Sequence, residues 1–109
     1  MTGDHWTATI SGYRLAVRLG LDPSGRRVED LQVSLSPPGS PLGVSLEAVC
    51  EAVNVGLRRG VPLSAYLHQW RGQKFAPCGK TTDPLVDECS SLADYLARAC
   101  IARGYGVQS

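Results

Sequence analysis

At 109 residues, the chain has the size of one domain and is long enough to bury a hydrophobic core. Hydrophobic residues make up 43% and charged residues 19%, a balance that excludes the composition of a disordered protein. A formal net charge of +1 excludes a strong field that would attract nucleic acid or an anionic membrane. We expect one domain over residues 1–109, with flexible ends at residues 1–8 and 105–109.

The N-terminal half predicts an antiparallel β-hairpin. Apolar residues alternate with polar ones over residues 10–21 and again over residues 28–35, which is the period of a strand with one buried face. Residues 22–25, Asp-Pro-Ser-Gly, form a strong turn signal between the two runs. Glu29 and Asp30 interrupt the second alternation, and we expect a β-bulge there.

Three helices are predicted after the hairpin. Ser45 is expected to cap the first helix, and Gly60 to end it. Its apolar stripe is Leu46, Val49, Cys50, Val53 and Leu57, with Cys50 as a small core residue. The second helix starts at Pro62 and ends near residue 70 or 71, and the third follows a cap at Ser91. The fold class is therefore α+β, a small antiparallel hairpin or sheet followed by three helices packed on one face.

Two cysteines make the loop between the second and third helices the one segment where chemistry is expected. Cys78 lies at the loop tip and Cys89 at the start of the next helix. Zinc takes four nitrogen or sulfur ligands, so Cys78 and Cys89 are candidate ligands, with His68 or the same cysteine pair of a second chain as the source of the others. No Cys-x2–4-Cys pair supports this site, so the cofactor is either none or zinc.

A redox role for the same two cysteines is a second interpretation. Cys89 precedes a helix, and a helix N-terminus lowers the pKa of a thiol. Asp87 and Glu88 act against that effect, while Lys80 favours ionisation of Cys78. A reversible disulfide between the two thiols is chemically reasonable. In a reducing cytosol, however, free thiols or metal ligands are the expected state.

The same segment carries a candidate interaction surface. Its members are aromatic or basic: Trp70, Arg71, Lys74, Phe75 and Lys80. Together with Arg58 and Arg59, these residues also allow weak binding of single-stranded nucleic acid. The alternative is that Trp70 and Phe75 occupy core positions and the charges solvate helix ends, which makes nucleic acid the less favoured partner.

Four short motifs in order resemble the TSCPD domain family, best known as the C-terminal module of adenosylcobalamin-dependent (class II) ribonucleotide reductases. They are Gly12-Tyr13 and residues 60–63 (GVPL), 75–79 (FAPCG) and 91–95 (SLADY). Residues 87–91, Asp-Glu-Cys-Ser-Ser, match the family's Thr-Ser-Cys-Pro-Asp motif only at Cys89. The chain also has no cysteine before Cys50, so a family-type metal site is incomplete here.

The resemblance implies a non-catalytic function, because it covers no part of the reductase barrel or of its Cys-x-x-Cys tail. We expect a stand-alone TSCPD-like domain that acts as an accessory or protein-interaction module, linked to a ribonucleotide reductase or to nucleotide metabolism. A structural zinc module is the alternative. The apolar helix faces and an exposed strand edge favour a homodimer.

The expected location is the cytoplasm of a bacterium, or of its host cell if a bacteriophage encodes the chain. The N-terminus lacks a charged start followed by an apolar run, so we predict no signal peptide. No window approaches the ~20 apolar residues of a membrane span, and we expect no membrane contact.

Overall fold

The computed structural model of the protein describes residues 3–106. The elements in chain order are β1 (Gly3–Ile10), β2 (Tyr13–Leu21), β3 (Val28–Ser36), α1 (Pro41–Arg58), α2 (Leu63–Trp70), β4 (Gly79–Lys80), β5 (Glu88–Cys89) and α3 (Leu92–Ala102). The predicted α+β class, with an antiparallel sheet followed by three helices, is confirmed. Within the described residues, one compact unit contains residues 3–7 and 14–62, and a second contains residues 8–13 and 63–106. The prediction of one domain stays a prediction.

The hairpin of β2 and β3 is confirmed in the first unit, in a sheet of order β1-β2-β3. Three buried apolar pairs lie across the hairpin: Leu15 with Leu35, Val17 with Val33, and Leu19 with Leu31. Gly20 pairs with Asp30 while Leu21 pairs with Val28, which leaves Glu29 as an extra residue. The predicted bulge is therefore present.

Strand β1 was not predicted, and residues 3–8 of the expected flexible end lie in it. Ser11 and Gly12 join β1 to β2, with φ angles of 49° and 84°. Positive φ at both central residues is typical of the tight turns that connect hairpin strands, and a Ser-Gly pair signals such a turn. Residues 1–2 and 107–109, also expected to be flexible, lie outside the described residues.

Helix α1 begins earlier than predicted. Its cap is Ser40, whose Oγ accepts a hydrogen bond from the Gly43 N–H at 3.1 Å, and Pro41 occupies the first turn. The predicted cap at Ser45 is wrong because proline at Pro41 suits a first helical position, where no N–H is needed. Leu46, Cys50, Val53 and Leu57 are buried, as predicted.

The predicted stripe of α1 is wrong at one position. Val49 is 47% exposed, and the buried position that completes the face is Asn54. Asn54 Oδ1 accepts from the Leu31 N–H at 2.7 Å, and Asn54 Nδ2 donates to the Leu31 carbonyl at 3.0 Å. These bonds permit a polar side chain to be buried where α1 packs against β3.

In the second unit, α2 packs against α3, and β4 pairs with β5 in a short antiparallel ribbon. Leu63 and Leu67 are the buried residues of α2. The predicted cap of α3 is confirmed, since Ser91 Oγ accepts from the Asp94 N–H at 2.9 Å. Gly106, in the segment expected to be flexible, lies so close to α2 that a Cβ there would be 2.3 Å from Leu67 Cδ1. Across residues 3–106, no helix combines the length and apolar character needed to span a membrane.

Candidate functional site

All five candidate interaction residues lie at the surface of the second unit. We call this set the loop surface: Trp70, Arg71, Lys74, Phe75 and Lys80. Phe75 is 44% exposed, so the interpretation of Phe75 as a core residue is wrong. Trp70 is half-buried at the end of α2, with its ring 6.0 Å from that of Tyr66. The segment therefore presents one exposed aromatic ring among basic side chains.

Buried Asp94 of α3 binds the backbone at Gly72, near the start of the segment that carries the loop surface. Its Oδ1 accepts from the Gly72 N–H at 2.7 Å, and its Oδ2 from the Ser90 N–H at 3.0 Å. Arg98 Nε lies within 3.0 Å of both oxygens. Burial alone would raise the pKa of the Asp94 carboxyl, but these donors outweigh burial and hold the pKa below its ordinary value.

The backbone around Phe75 is held at two further points. The Phe75 N–H donates to the Ser90 carbonyl at 3.1 Å, and Ser90 Oγ donates to the Gln73 carbonyl at 2.7 Å. Gly72, at a φ of 85°, adopts the left-handed conformation that turns the chain out of α2. The exposed Phe75 ring thus sits on a backbone whose position is fixed.

A second buried carboxylate, Asp83, anchors the far side of the loop. Its oxygens accept from Tyr95 Oη at 2.7 Å and from two nitrogens of Arg103 at 3.0 and 3.2 Å. Burial by itself raises the pKa of Asp83, but the bonds from Arg103 and Tyr95 prevail and lower it. The sequence analysis missed this role of Asp83. The Asp83-Pro84 pair, typical of a turn, is the signal that was present.

Cys78 directly precedes β4 and Cys89 lies in β5, and the two thiols have different surroundings. Cys89 is buried and pairs with Gly79, while Cys78 is exposed. Burial and the Asp94 carboxylate raise the pKa of the Cys89 thiol above its ordinary value. This direction is opposite to the effect of a helix N-terminus alone, because burial and Asp94 exceed the contribution of the nearby N–H groups.

The zinc prediction for Cys78, Cys89 and His68 is not tested by the fold. His68 is exposed on α2. Across residues 3–106, no three or more His, Cys, Asp or Glu side chains are grouped to hold a metal ion. The described residues thus bring the two cysteines together but provide no complete ligand set, which a zinc site needs.

The basic residues named for nucleic-acid binding are divided between the two units. Arg58 and Arg59 belong to the first unit, where Arg58 makes a long ion pair of 3.5 Å with Asp30. Arg71, Lys74 and Lys80 are exposed in the second unit. Lys80 lies opposite Glu88 in the ribbon, so an acidic neighbour offsets part of its charge.

Comparisons with a family model and with known proteins point to the same family. The family model of the TSCPD domain matches residues 1–101. A vitamin B12-dependent ribonucleotide reductase of Streptomyces avermitilis is 39% identical over 66 residues, which are 61% of this chain and 7% of that protein. The corresponding reductase of Rhodopirellula baltica is 28% identical over 90 residues, 83% of this chain and 9% of its own length. No solved structure matches the chain.

Proposed function

Because the chain belongs to the TSCPD domain family, we propose that it is a non-catalytic accessory module that binds another protein through the loop surface. The observation that carries this proposal is the exposed Phe75 ring on a fixed backbone. Aromatic residues are enriched among those that dominate binding energy. A loop that is already ordered also loses less conformational entropy when it binds.

The charges of the loop surface define the partner's chemistry. Arg71 and Lys74 precede Phe75 along the chain, and Lys80 follows it. A partner of matching chemistry presents acidic side chains around an apolar depression that receives the ring. The rim charges would chiefly speed association, while the ring would set the lifetime of the complex.

A ribonucleotide reductase is the first partner to examine. The matched relatives are named vitamin B12-dependent ribonucleotide reductases, and this chain spans less than a tenth of the length of the Streptomyces and Rhodopirellula proteins. The chain is thus related to one short segment of a much longer protein. We propose that it acts beside such a reductase, or beside another protein of nucleotide metabolism, in the bacterial cytoplasm.

A binding titration tests the loop surface. The purified 109-residue chain is titrated against a vitamin B12-dependent ribonucleotide reductase by isothermal calorimetry. We expect Phe75→Ser to weaken binding at least about tenfold, as is typical of an aromatic hot spot. Leu85→Ser is the matched control, because Leu85 is an exposed apolar residue of the same unit outside the loop surface. No binding up to about 100 μM, or equal affinity for Phe75→Ser and wild type, would contradict this function.

Single-stranded nucleic acid is the second candidate, supported by the same exposed ring and basic neighbours. Binding of a single-stranded DNA oligonucleotide is measured against salt concentration. A steep fall in affinity with salt, together with loss in Phe75→Ser, would favour this candidate. Absence of binding at low salt would remove it.

A zinc module is the third candidate, supported by the position of Cys78 directly before Gly79, the residue that pairs with Cys89. Native mass spectrometry of protein purified without chelator measures the metal content directly. Zinc that is lost in both Cys78→Ser and Cys89→Ser would support this candidate. Retention of zinc in both variants, or an apo mass for the wild type, would speak against it.

A further inference from the structure

The outward side of α1 is apolar, although the opposite side of the helix already faces the core. Val44 is 57% exposed and Val55 50% exposed, and Ala48 and Ala52 lie between them on the surface. Positions 44, 48, 52 and 55 follow the spacing of one helix face at about 100° per residue. Val49, at 47% exposed, widens this face. We call these five residues the outer face of α1.

One edge of the outer face carries opposite charges at its two ends. Glu47 lies in the first half of α1, Glu51 lies just past its middle, and Arg58 is its last residue. At about 100° per residue, all three fall within a narrow strip beside Val44 and Val55. No ion pair of Glu47 or Glu51 is found within residues 3–106, while Arg58 is exposed and makes only a long contact there, 3.5 Å to Asp30.

This charge pattern is complementary to itself. When a two-fold axis relates two antiparallel helices, each helix places the same edge against the other. The two chains run in opposite directions along that edge. Glu47 then faces the Arg58 end of the same strip on the second copy, while Glu51 lies close to the two-fold axis. Antiparallel packing also places opposite ends of the helix dipoles side by side.

The sequence analysis named an exposed strand edge as one reason to expect a dimer. The edge of β3 is less suited to association than the outer face of α1. Asn54 of α1 occupies both backbone groups of Leu31. An added strand would have to displace that side chain to form its own ladder there.

We propose that the outer face of α1 binds the outer face of a second copy of this chain, in an antiparallel pair that crosses near Ala52. In this pair Glu47 lies opposite the partner's Arg58, and the partner's Glu47 lies opposite Arg58. Valine and alanine side chains fill the contact, and small residues at the crossing let the two helices approach closely. The inference does not depend on the proposed function, because α1 belongs to the first unit and the loop surface to the second.

Sedimentation equilibrium of charge-reversed variants tests the pair. Glu47→Arg or Arg58→Glu alone turns two attractive contacts into two repulsive ones, and we expect the dimer to weaken roughly tenfold or more. An equimolar mixture of the two variants restores both attractions, so the mixture should dimerise like wild type. Arg26→Glu is the matched control, since Arg26 is an exposed arginine in the turn before β3.

Two results would overturn the proposal. The first is a wild-type chain that stays monomeric up to about 500 μM, well above the micromolar range expected for a small interface. The second is a dimer whose affinity is unchanged by the single reversals or not restored in the mixture. Circular dichroism checks that each variant is folded. Val55→Lys, which places a charge within the outer face, provides an independent measurement and should weaken the dimer to a similar extent.

Discussion

Asn54 on α1 forms hydrogen bonds with both backbone groups of Leu31 on β3, at 2.7 Å to the N–H and 3.0 Å to the carbonyl. The amide side chain thus gives the backbone of Leu31 the hydrogen-bond acceptor and donor that a neighbouring strand would provide. Because β3 is the last strand in the order β1-β2-β3, these groups would otherwise need another partner.

Replacing Asn54 should therefore destabilise the first unit. In Asn54→Ala the Leu31 N–H and carbonyl lose their partners, and we expect the free energy of unfolding to fall by about 1–3 kcal/mol. Urea denaturation followed by circular dichroism measures the loss. Gln32→Ala is the control, because Gln32 is exposed on the same strand. A loss of less than about 0.5 kcal/mol in Asn54→Ala, the range of ordinary surface changes, would show that the pairing contributes little.

Removal of the Asp83 carboxylate should have a larger effect on the second unit. Asp83→Ala takes away a carboxylate that pairs with Arg103, whose side chain is only 15% exposed. Breaking a buried ion pair typically costs about 3–5 kcal/mol. Thermal unfolding should show a large drop in melting temperature for Asp83→Ala and little change for Asp87→Ala, an exposed aspartate of the same unit. Similar melting temperatures for the two variants would mean that the network is not a major source of stability.

The lowered pKa values of Asp83 and Asp94 predict loss of stability in acid. For each carboxyl the folded-state pKa lies below the unfolded value of about 3.9, so the unfolded chain binds protons first as the pH falls. The contribution is complete above the unfolded pKa and disappears as the pH falls through the folded pKa. Unfolding free energies measured from pH 7 to pH 2 should decline below about pH 4–5. The decline should be smaller in Asp94→Asn, and an equal decline in wild type and Asp94→Asn would contradict the assignment.

The four cysteines should differ in their rate of alkylation. Cys78 is exposed, whereas Cys50, Cys89 and Cys100 are buried. Burial also raises the pKa of the Cys50 and Cys89 thiols, which keeps both protonated at neutral pH. Iodoacetamide at pH 7, followed by intact-mass spectrometry, should give one fast addition in wild type and none in Cys78→Ser. A fast addition that persists in Cys78→Ser would point to a second reactive thiol.

Sequence reasoning was most successful where the signal is local. The alternation in β2 and β3, the bulge at Glu29 and the cap at Ser91 each depend on a few neighbouring residues. The ribbon of β4 and β5 was not predicted, because each strand has only two residues and no run long enough to show a period. The burial of Asn54 was also missed, since its partner Leu31 is remote in sequence.

The functional role of the five loop-surface residues stays a prediction, and the contacts that position their backbone were not predicted. The five residues of the loop surface were named from composition, and all five lie at the surface. The anchoring roles of the Asp83 and Asp94 carboxylates were not predicted. An aspartate at the start of a turn or a helix gives the same sequence pattern whether its side chain is buried or solvated. The identity of their donors, such as Tyr95 and Arg98, depends on tertiary structure.

The attachment of Gly72 and Ser90 to one carboxylate has a consequence for protein engineering. Asp94 of α3 holds both ends of the chain segment between them, so exposed residues of that segment can be substituted while its ends stay in place. Residues 74–76, which include the exposed Phe75, are the natural place for randomised sequences. A library built there would vary the residues that contact a partner, while Asp94 holds the ends of the segment in the same position in every member.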